Sequence, residues 1–308
     1  MLKVIISKIM RRSLKNAVVR SEFLHGLFCS YELKKYENGL LKKSLDSELI
    51  NFFLTRKEVV EEITLRKVER GSDVCHVIGS GWSLNQSISK IDEGDFVIGF
   101  NYAGIADIDF DVYFFEFGGG KVSEISRNHL AIARKKIIGT TNLIYFKNIW
   151  EDKNDIDFIA SQWLEFARPV KDHPYTVLDK RHLRKTLSQC LGDETDYIPQ
   201  LRSTVVTATI LAFQAGFRKI VIHGLDFGGQ YFYECMDRET DISFLPPPKP
   251  VSGFYGKTNK DNVHPTAASH IGMRDIILEI YGLLKERDTV LMCGSANSPS
   301  SQYLPVYE

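Results

Sequence analysis

The sequence predicts an α/β protein with a Rossmann-like, mostly parallel twisted sheet and helices on both faces. Three observations carry that expectation. The run Val77-Ile78-Gly79-Ser80-Gly81-Trp82-Ser83-Leu84 is a buried-type strand that stops at Gly-x-Gly and turns toward a helix. Residues 204–215 read as a buried helix stopped by Gly216 and followed at once by the apolar strand Lys219–His223. Residues 267–287 carry Ile271, Ile276, Ile277, Ile280 and Leu284 at helical spacing and lead into a last strand over 289–293.

Along the chain, residues 1–70 read as a helical N-terminal extension, because Leu, Ile and Phe recur at three- and four-residue spacing without strand-like alternation. Gly71-Ser72-Asp73 breaks the pattern, and residues 71–308 form the predicted α/β domain. Its strands are Val74–Ile78, Phe96–Phe100 ending at Asn101, 110–115, and strand material at 136–139 and 143–146 after a helical stretch over 122–134. Residues 150–200 are polar and aromatic and read as helices and loops. Residues 230–263, with Pro246-Pro247-Pro248, Pro250 and several glycines, show no period and read as a lid-like excursion.

Composition narrows the function. Thirty-nine Lys and Arg balance 39 Asp and Glu, so bulk charge gives no argument for a nucleic-acid partner. Five cysteines, Cys29, Cys75, Cys190, Cys235 and Cys293, are scattered without Cys-x-x-Cys spacing, which predicts reduced thiols in a cytoplasmic protein. No apolar run reaches the ~20 residues of a spanning helix. Residues 1–20 carry Lys3, Lys8, Arg11, Arg12, Lys15 and Arg20 and no acid, among Ile5, Ile6, Ile9, Met10, Leu14, Val18 and Val19. Such a segment either lies on an anionic membrane surface, the inner face of the cytoplasmic membrane, or packs on the domain as a solvated helix.

In parallel sheets the ligand lies at the carboxyl ends of the strands. That rule gathers residues 79–83, Asn101, Glu116, Asp226 and residues 295–298 around one crevice. The glycines allow a tight turn and a close phosphate; they suit an ordinary strand-to-helix connection equally well. Asn101 is either a donor and acceptor toward sugar or base, or a turn residue. Asp226 is a functional carboxylate or a turn Asp. Asp261-Asn262-Val263-His264-Pro265-Thr266, with His270 beyond it, places two histidines at the entrance to a helix, where Thr266 could also be part of its cap. Tyr231, Tyr233 and Tyr255 lie in the excursion, and their hydroxyls could hold a phosphate without metal. Asp107-x-Asp109-x-Asp111 reads as a solvated turn, and no Asp-x-Asp pair sits in the crevice, so no metal cofactor is expected.

The order of these motifs resembles the bacterial sialyltransferases of glycosyltransferase family 42 over roughly residues 74–300: Gly-x-Gly-x-Ser-Leu after the first strand, a strand ending in Asn, helix–Gly–strand–Gly-Leu-Asp-Phe, then Asp-Asn-x-His with a second His before a long helix. The resemblance implies a metal-independent, inverting transferase. It would move an acidic sugar, sialic acid or a Kdo-like sugar, from a CMP-sugar to a glycan or glycolipid acceptor in bacterial surface (lipopolysaccharide) synthesis. Gly79, Gly81 and Ser83 match the family's nucleotide loop, with Ser80 where the family tends to have Asn. Asn101 matches a donor-contacting Asn, and Thr204, beside Ser203, falls where a donor-contacting Ser is expected. Asp226 matches the Asp of Gly-Ile-Asp-Phe-Tyr, whose Tyr is replaced by Gly228, so Tyr231 or Tyr233 would supply the phosphate-stabilising hydroxyls. His270 stands five residues before Asp275, as the family's catalytic His stands before its Asp; His264 matches the earlier His; Asn297-Ser298 resembles the Asn-Ser after the last strand. His270 or His264 would take the acceptor proton, a contribution of ~10²–10⁴-fold. Homo-oligomers are common in the family. Two other readings stay open: a GDSL-like esterase using Asp261 and His264 with Ser80 or Ser83 as nucleophile, and a non-catalytic nucleotide-binding domain.

Overall fold

The computed structural model describes residues 21, 23–24, 27–31, 34–35, 38, 53–116, 124–137, 143–147, 167–174, 180–192, 196–201, 203–229, 231–234 and 271–308. Helix α1 spans Arg56–Arg70 and is followed by β1 (Val74–Ile78), β2 (Phe96–Phe100) and β3 (Val112–Glu116). Then come α2 (Glu124–Ile132), β4 (Leu143–Lys147), β5 (Arg168–Pro169), β6 (Asp172–Pro174), α3 (Lys180–Leu191) and β7 (Ile198–Gln200). The chain continues through α4 (Thr204–Gln214), β8 (Lys219–His223), α5 (Met273–Lys285) and β9 (Val290–Cys293). Seven strands form one sheet in the order β5-β4-β3-β2-β1-β8-β9, and β6 pairs with β7 in a separate two-stranded sheet. Every neighbouring pair in the main sheet is parallel. The expected α/β class with a parallel sheet is what the chain adopts.

Strand alternation sorts the core into two layers. Cys75, Val77, Phe96, Ile98, Phe100, Val112 and Phe114 face a layer built by Val59 and Ile63 of α1, Leu183 and Leu187 of α3, Val206 and Ile210 of α4, and Ile276 and Ile280 of α5. Ile78, Val97, Tyr113, Phe115, Ile144 and Phe146 face the other layer, with Leu130 and Ile132 of α2 and the segment Phe232–Tyr233. Helix α1 therefore contributes to the core of the α/β unit, although its sequence reads as part of an extension. A capping box starts it: Thr55 Oγ1 accepts from the Glu58 amide, and Glu58 in turn accepts from the Thr55 amide at 2.6 Å. Arg56 at its first turn is 1% exposed. Its guanidinium donates to the carbonyls of Cys190 (2.5 Å) and Gly192 at the C-terminal end of α3, where the helix dipole is negative, and to Gln214 Oε1 (2.9 Å). Leu54 extends the sheet edge through a parallel bridge to Val170.

Several expectations need correction. The loop after β1 leads into two short 3₁₀ turns, Trp82–Gln86 and Ile88–Lys90, and not into an α-helix. Residues 136–137, read as strand, belong to a π-helical turn, Ala133–Ile137. Within 150–200, read as helices and loops, the chain forms β5, β6 and β7, each two or three residues long. Helix α5 begins at Met273 with Gly272 at its N-cap, six residues later than its periodicity suggests, so Thr266 does not cap it. Asp275 holds that start by accepting from the Gly272 amide at 3.0 Å and from Lys180 Nζ at 2.8 Å. In the Asp107-x-Asp109-x-Asp111 run, Asp107 and Asp109 are exposed, but Asp111 is fully buried. Asp111 accepts from the Val97 amide at 2.9 Å and pairs with Arg70 at 2.6 Å, tying α1 to the start of β2. Helix α4 does end where expected: Ala215 is its C-cap, and Gly216 follows with a left-handed φ of 85°.

Candidate functional site

The strand order reverses between β1 and β8, since the chain first builds outward from β1 to β5 and then returns to place β8 on the other side of β1. A crevice at the carboxyl ends of those two strands is the usual ligand position in such sheets. The two loops that leave there touch directly. Ser83 donates its amide to Asp226 Oδ2 at 2.8 Å and its hydroxyl to Asp226 Oδ1 at 2.5 Å. Ser298, in the loop after β9, donates to Asp226 Oδ1 at 2.9 Å. Burial holds the Asp226 carboxyl above its ordinary value, against the opposing hydrogen bonds from Ser83 and Ser298.

The glycines have a packing reason. A Cβ on Gly81 would lie 2.4 Å from Asp226 Oδ2 and 2.6 Å from the Gly224 carbonyl, and one on Gly79 would lie 2.8 Å from the same carbonyl. The amides of Gly79 and Gly81 donate to the carbonyls of His223 (2.8 Å) and Gly224 (3.0 Å). The loop amides of Gly79, Gly81 and Ser83, which could have cradled a phosphate, are thus engaged within the protein, and the Asp226 carboxylate occupies the anion's place at Ser83. These three residues, with Asp226, bind the loops after β1 and β8 to each other. Ser83 is also unsuited to act as a nucleophile, because it is fully buried and its proton is already directed to Asp226.

A second cluster lies at the ends of β2 and β3. Asn101 has a left-handed φ of 52°, a conformation Asn tolerates better than most residues. Its Oδ1 accepts from the Glu116 amide at 3.0 Å, and the Tyr113 hydroxyl donates to its carbonyl. Thr204 Oγ1 donates to Glu116 Oε1 at 2.5 Å, which joins the start of α4 to the end of β3. Ser203 is the N-cap of α4 and accepts from the Val205 amide at 3.2 Å. A third cluster is aromatic. The Phe232 amide donates to the Ser80 carbonyl at 3.0 Å, and Gly81 bridges Tyr231, which brings this segment back onto the glycine loop. Tyr231 and Tyr233 stack with centroids 5.2 Å apart, and Tyr102, the residue after Asn101, lies 5.2 Å and 5.8 Å from them.

The structure thus brings together Gly79, Ser80, Gly81, Ser83, Asp226, Ser298, Tyr231 and Tyr233, and separately joins Asn101 after β2, Glu116 at the end of β3 and Thr204 at the start of α4. Asn297 is exposed, its amide donating to Ser295 Oγ at 3.2 Å. His264, His270 and Asp261, with most of the excursion over 230–263 and residues 1–20, lie outside the described residues. Among the described residues, no group of three or more His, Cys, Asp or Glu could hold a metal ion.

Sequence reasoning missed two buried groups. One is a chain of hydrogen bonds behind the glycine loop. Asp95 Oδ2 can only accept, so His76 donates to it from Nε2 at 2.9 Å and accepts at Nδ1 from His223 Nε2 at 2.8 Å. Ser87 Oγ closes the chain at His223 Nδ1, 2.9 Å away. Both imidazoles are fully buried and fit their partners as neutral rings. Burial pushes His76 below its ordinary value despite Asp95, and burial, reinforced by unfavourable electrostatics with His76 and Lys90 once His223 takes a proton, pushes His223 down to about 3. The signal was present as a histidine in the middle of β1 and another at the end of β8, two strands that neighbour each other. The other group is Asn128 and His129 on α2, beside Tyr102. Polar residues on a helix face that also carries Leu130 and Ile132 were the available sign.

The fold and site define a doubly wound α/β protein whose β1 and β8 loops clasp each other at the switch point, beside a cluster of tyrosines. No family model matches the chain, and no curated protein matches its sequence. Solved structures that resemble it include the sialyltransferase CstII in complex with a trisaccharide acceptor and CMP, at 14% identity and a TM-score of 0.44, covering 76% of this chain and 86% of that one. CstII from Campylobacter jejuni with the substrate analogue CMP-3FNeuAc matches at 16% identity and a TM-score of 0.45, with the same coverage. The monofunctional α-2,3-sialyltransferase Cst-I from Campylobacter jejuni matches at 13% identity and a TM-score of 0.44, over 77% of this chain and 80% of that one.

Proposed function

We propose that this chain is a glycosyltransferase that moves an acidic sugar, sialic acid or a Kdo-like sugar, from a CMP-sugar to a glycan or glycolipid acceptor, with inversion and without a metal. The observation that carries the reading is the meeting of the β1 and β8 loops at the switch point, with Asn101 and the Tyr231–Tyr233 pair beside them. Those of the sialyltransferase-like motifs that fall on described residues lie in loops at the carboxyl end of the sheet, which supports the reading. In this reading Asn101 and the groups around Glu116 and Thr204 receive the nucleotide-sugar, while Gly79, Gly81, Ser83, Asp226 and Ser298 hold the loops that shape its seat. The Tyr231 and Tyr233 hydroxyls stabilise the CMP phosphate as it leaves, a role that needs only donors placed where charge develops. His270, or His264, takes the proton of the acceptor hydroxyl.

Membrane contact belongs to the same reading. Phe23, Leu27 and Tyr31 recur at four-residue spacing in helical backbone and are each more than half exposed, next to the six cations and no acid of residues 1–20. Among the described residues no helix is long and apolar enough to cross a membrane. Contact would then be peripheral, at the inner face of the cytoplasmic membrane, where a lipid-linked acceptor is presented.

Release of CMP from CMP-sialic acid and CMP-Kdo in the presence of glycan acceptors tests the function. The His264→Ala, His270→Ala double variant is expected to bind CMP like the parent and to lose transfer by ~10²-fold or more. Ser83→Ala separates this reading from an esterase: it removes one hydrogen bond of the clasp, so a transferase is expected to keep part of its turnover, whereas a serine hydrolase loses all of it. Esterase activity that disappears in Ser83→Ala or Ser80→Ala would contradict the proposal.

A further inference from the structure

Asn128 and His129 stand in consecutive positions on α2 and are 5% and 2% exposed. The Glu116 carbonyl can only accept, so His129 donates to it from Nδ1 at 3.1 Å. The neutral ring then presents Nε2 as a bare acceptor, and that buried nitrogen has no hydrogen-bond partner. Asn128 donates through Nδ2 to the Tyr102 hydroxyl at 3.1 Å, which leaves its buried Oδ1 without a partner as well. The Tyr102 ring meets the His129 imidazole edge-on at 5.0 Å, and Tyr231 and Tyr233 also lie against it. Two unfilled acceptors therefore lie beside the cluster of Tyr102, Tyr231 and Tyr233, oriented by a backbone carbonyl and a phenol. Buried acceptors left unmet are costly and call for a donor. Burial holds His129 below its ordinary imidazole value, so it stays neutral near pH 7. A pair of neutral acceptors repels phosphate and carboxylate and suits O–H donors.

We infer that Asn128 and His129 form a hydroxyl-binding subsite, with His129 Nε2 and Asn128 Oδ1 accepting hydrogen bonds from hydroxyls of a sugar bound in the crevice. The choice of sugar rests on the glycosyltransferase reading; the subsite itself rests on the two unmet acceptors. It would act as a specificity determinant, since a site built to receive hydroxyls discriminates strongly against an analogue that lacks them.

Histidine-selective ¹⁵N NMR of the wild-type chain is the direct test. The His129 Nε2 resonance is expected to move on adding free N-acetylneuraminate or Kdo, or the CMP-sugars, and to stay put with CMP alone. A resonance that no sugar moves, or that CMP moves as much as a CMP-sugar does, would overturn the inference. Calorimetry adds a second readout. His129→Phe is expected to keep CMP affinity within about twofold and to lose about tenfold of the affinity for the CMP-sugar, the worth of one buried hydrogen bond. Equal losses for both ligands would mark His129 as merely structural and contradict the proposal. A wild-type chain that binds no nucleotide would remove the glycosyltransferase reading alone. The free-sugar titration would then still decide the subsite, for it if the resonance moves and against it if it does not.

Discussion

Asp226→Ala is expected to lower stability by about 3 kcal/mol and to abolish nucleotide binding, as measured by denaturant unfolding and calorimetry. The carboxylate accepts from the Ser83 amide, the Ser83 hydroxyl and the Ser298 hydroxyl, and all three donors lie in buried surroundings. Removing it leaves them unmet and opens a gap between loops that carry no Cβ at Gly79, Gly81 or Gly224 to fill it. Asp226→Asn should fall between, because the amide keeps the shape but turns one acceptor into a donor facing a donor. Gly81→Ala approaches the same clasp from the opposite side, by forcing a methyl to within 2.4 Å of the carboxylate, and is expected to destabilise by 1–3 kcal/mol. Gly94→Ala is the control, since nothing lies within 4 Å of its added Cβ.

Acid should unfold the protein through the histidine pair behind that clasp. His223 has a folded value of about 3 against an ordinary 6.5. The unfolded chain therefore binds a proton in a range where the folded chain does not. Stability is fully present above about pH 6.5 and falls as pH drops toward about 3, by about 1.4 kcal/mol per pH unit for this one group. Denaturant midpoints measured from about pH 7.5 down to about pH 5 should decline accordingly. Replacing both His76 and His223 by Gln should flatten that decline. A profile that keeps its slope in the double variant would locate the acid sensitivity elsewhere.

The legible parts of this chain were those with strong local signals. Val74–Ile78, Phe96–Phe100 and Lys219–His223 are short apolar runs closed by Gly or Asn, and each is a buried strand with the expected bounds. One topological rule gathered Ser83, Asp226 and Ser298 at one end of the sheet, and the structure joins them by hydrogen bonds across 143 and 72 residues of sequence. Strands β5, β6 and β7 were not legible, because two- and three-residue strands containing Pro169, Pro174 and Pro199 depend on pairing across the fold and not on local preference. The start of α5 was misplaced because Ile271 continues the apolar spacing while Gly272 and Asp275 set the cap. The glycine loop was located correctly, but its glycines answer to the close approach of Gly224 and Asp226. A spacing motif cannot distinguish that need from the approach of a phosphate. His129 was invisible for a related reason: a lone His on a buried helix face acquires meaning only when its partners, and its missing partner, are known.

The central claim is that the switch-point crevice receives CMP without a metal, and a thermal-shift panel of CMP, CDP, UDP and ADP, each with and without magnesium, tests it most directly. Saturation at 100 times the dissociation constant stabilises a fold by about 2.7 kcal/mol, well within reach of the method. Selective stabilisation by CMP, unchanged by magnesium and lost in an Asn101→Ala variant, is the expected result. A preference for a diphosphate, a requirement for magnesium, or no response to any nucleotide would contradict the account.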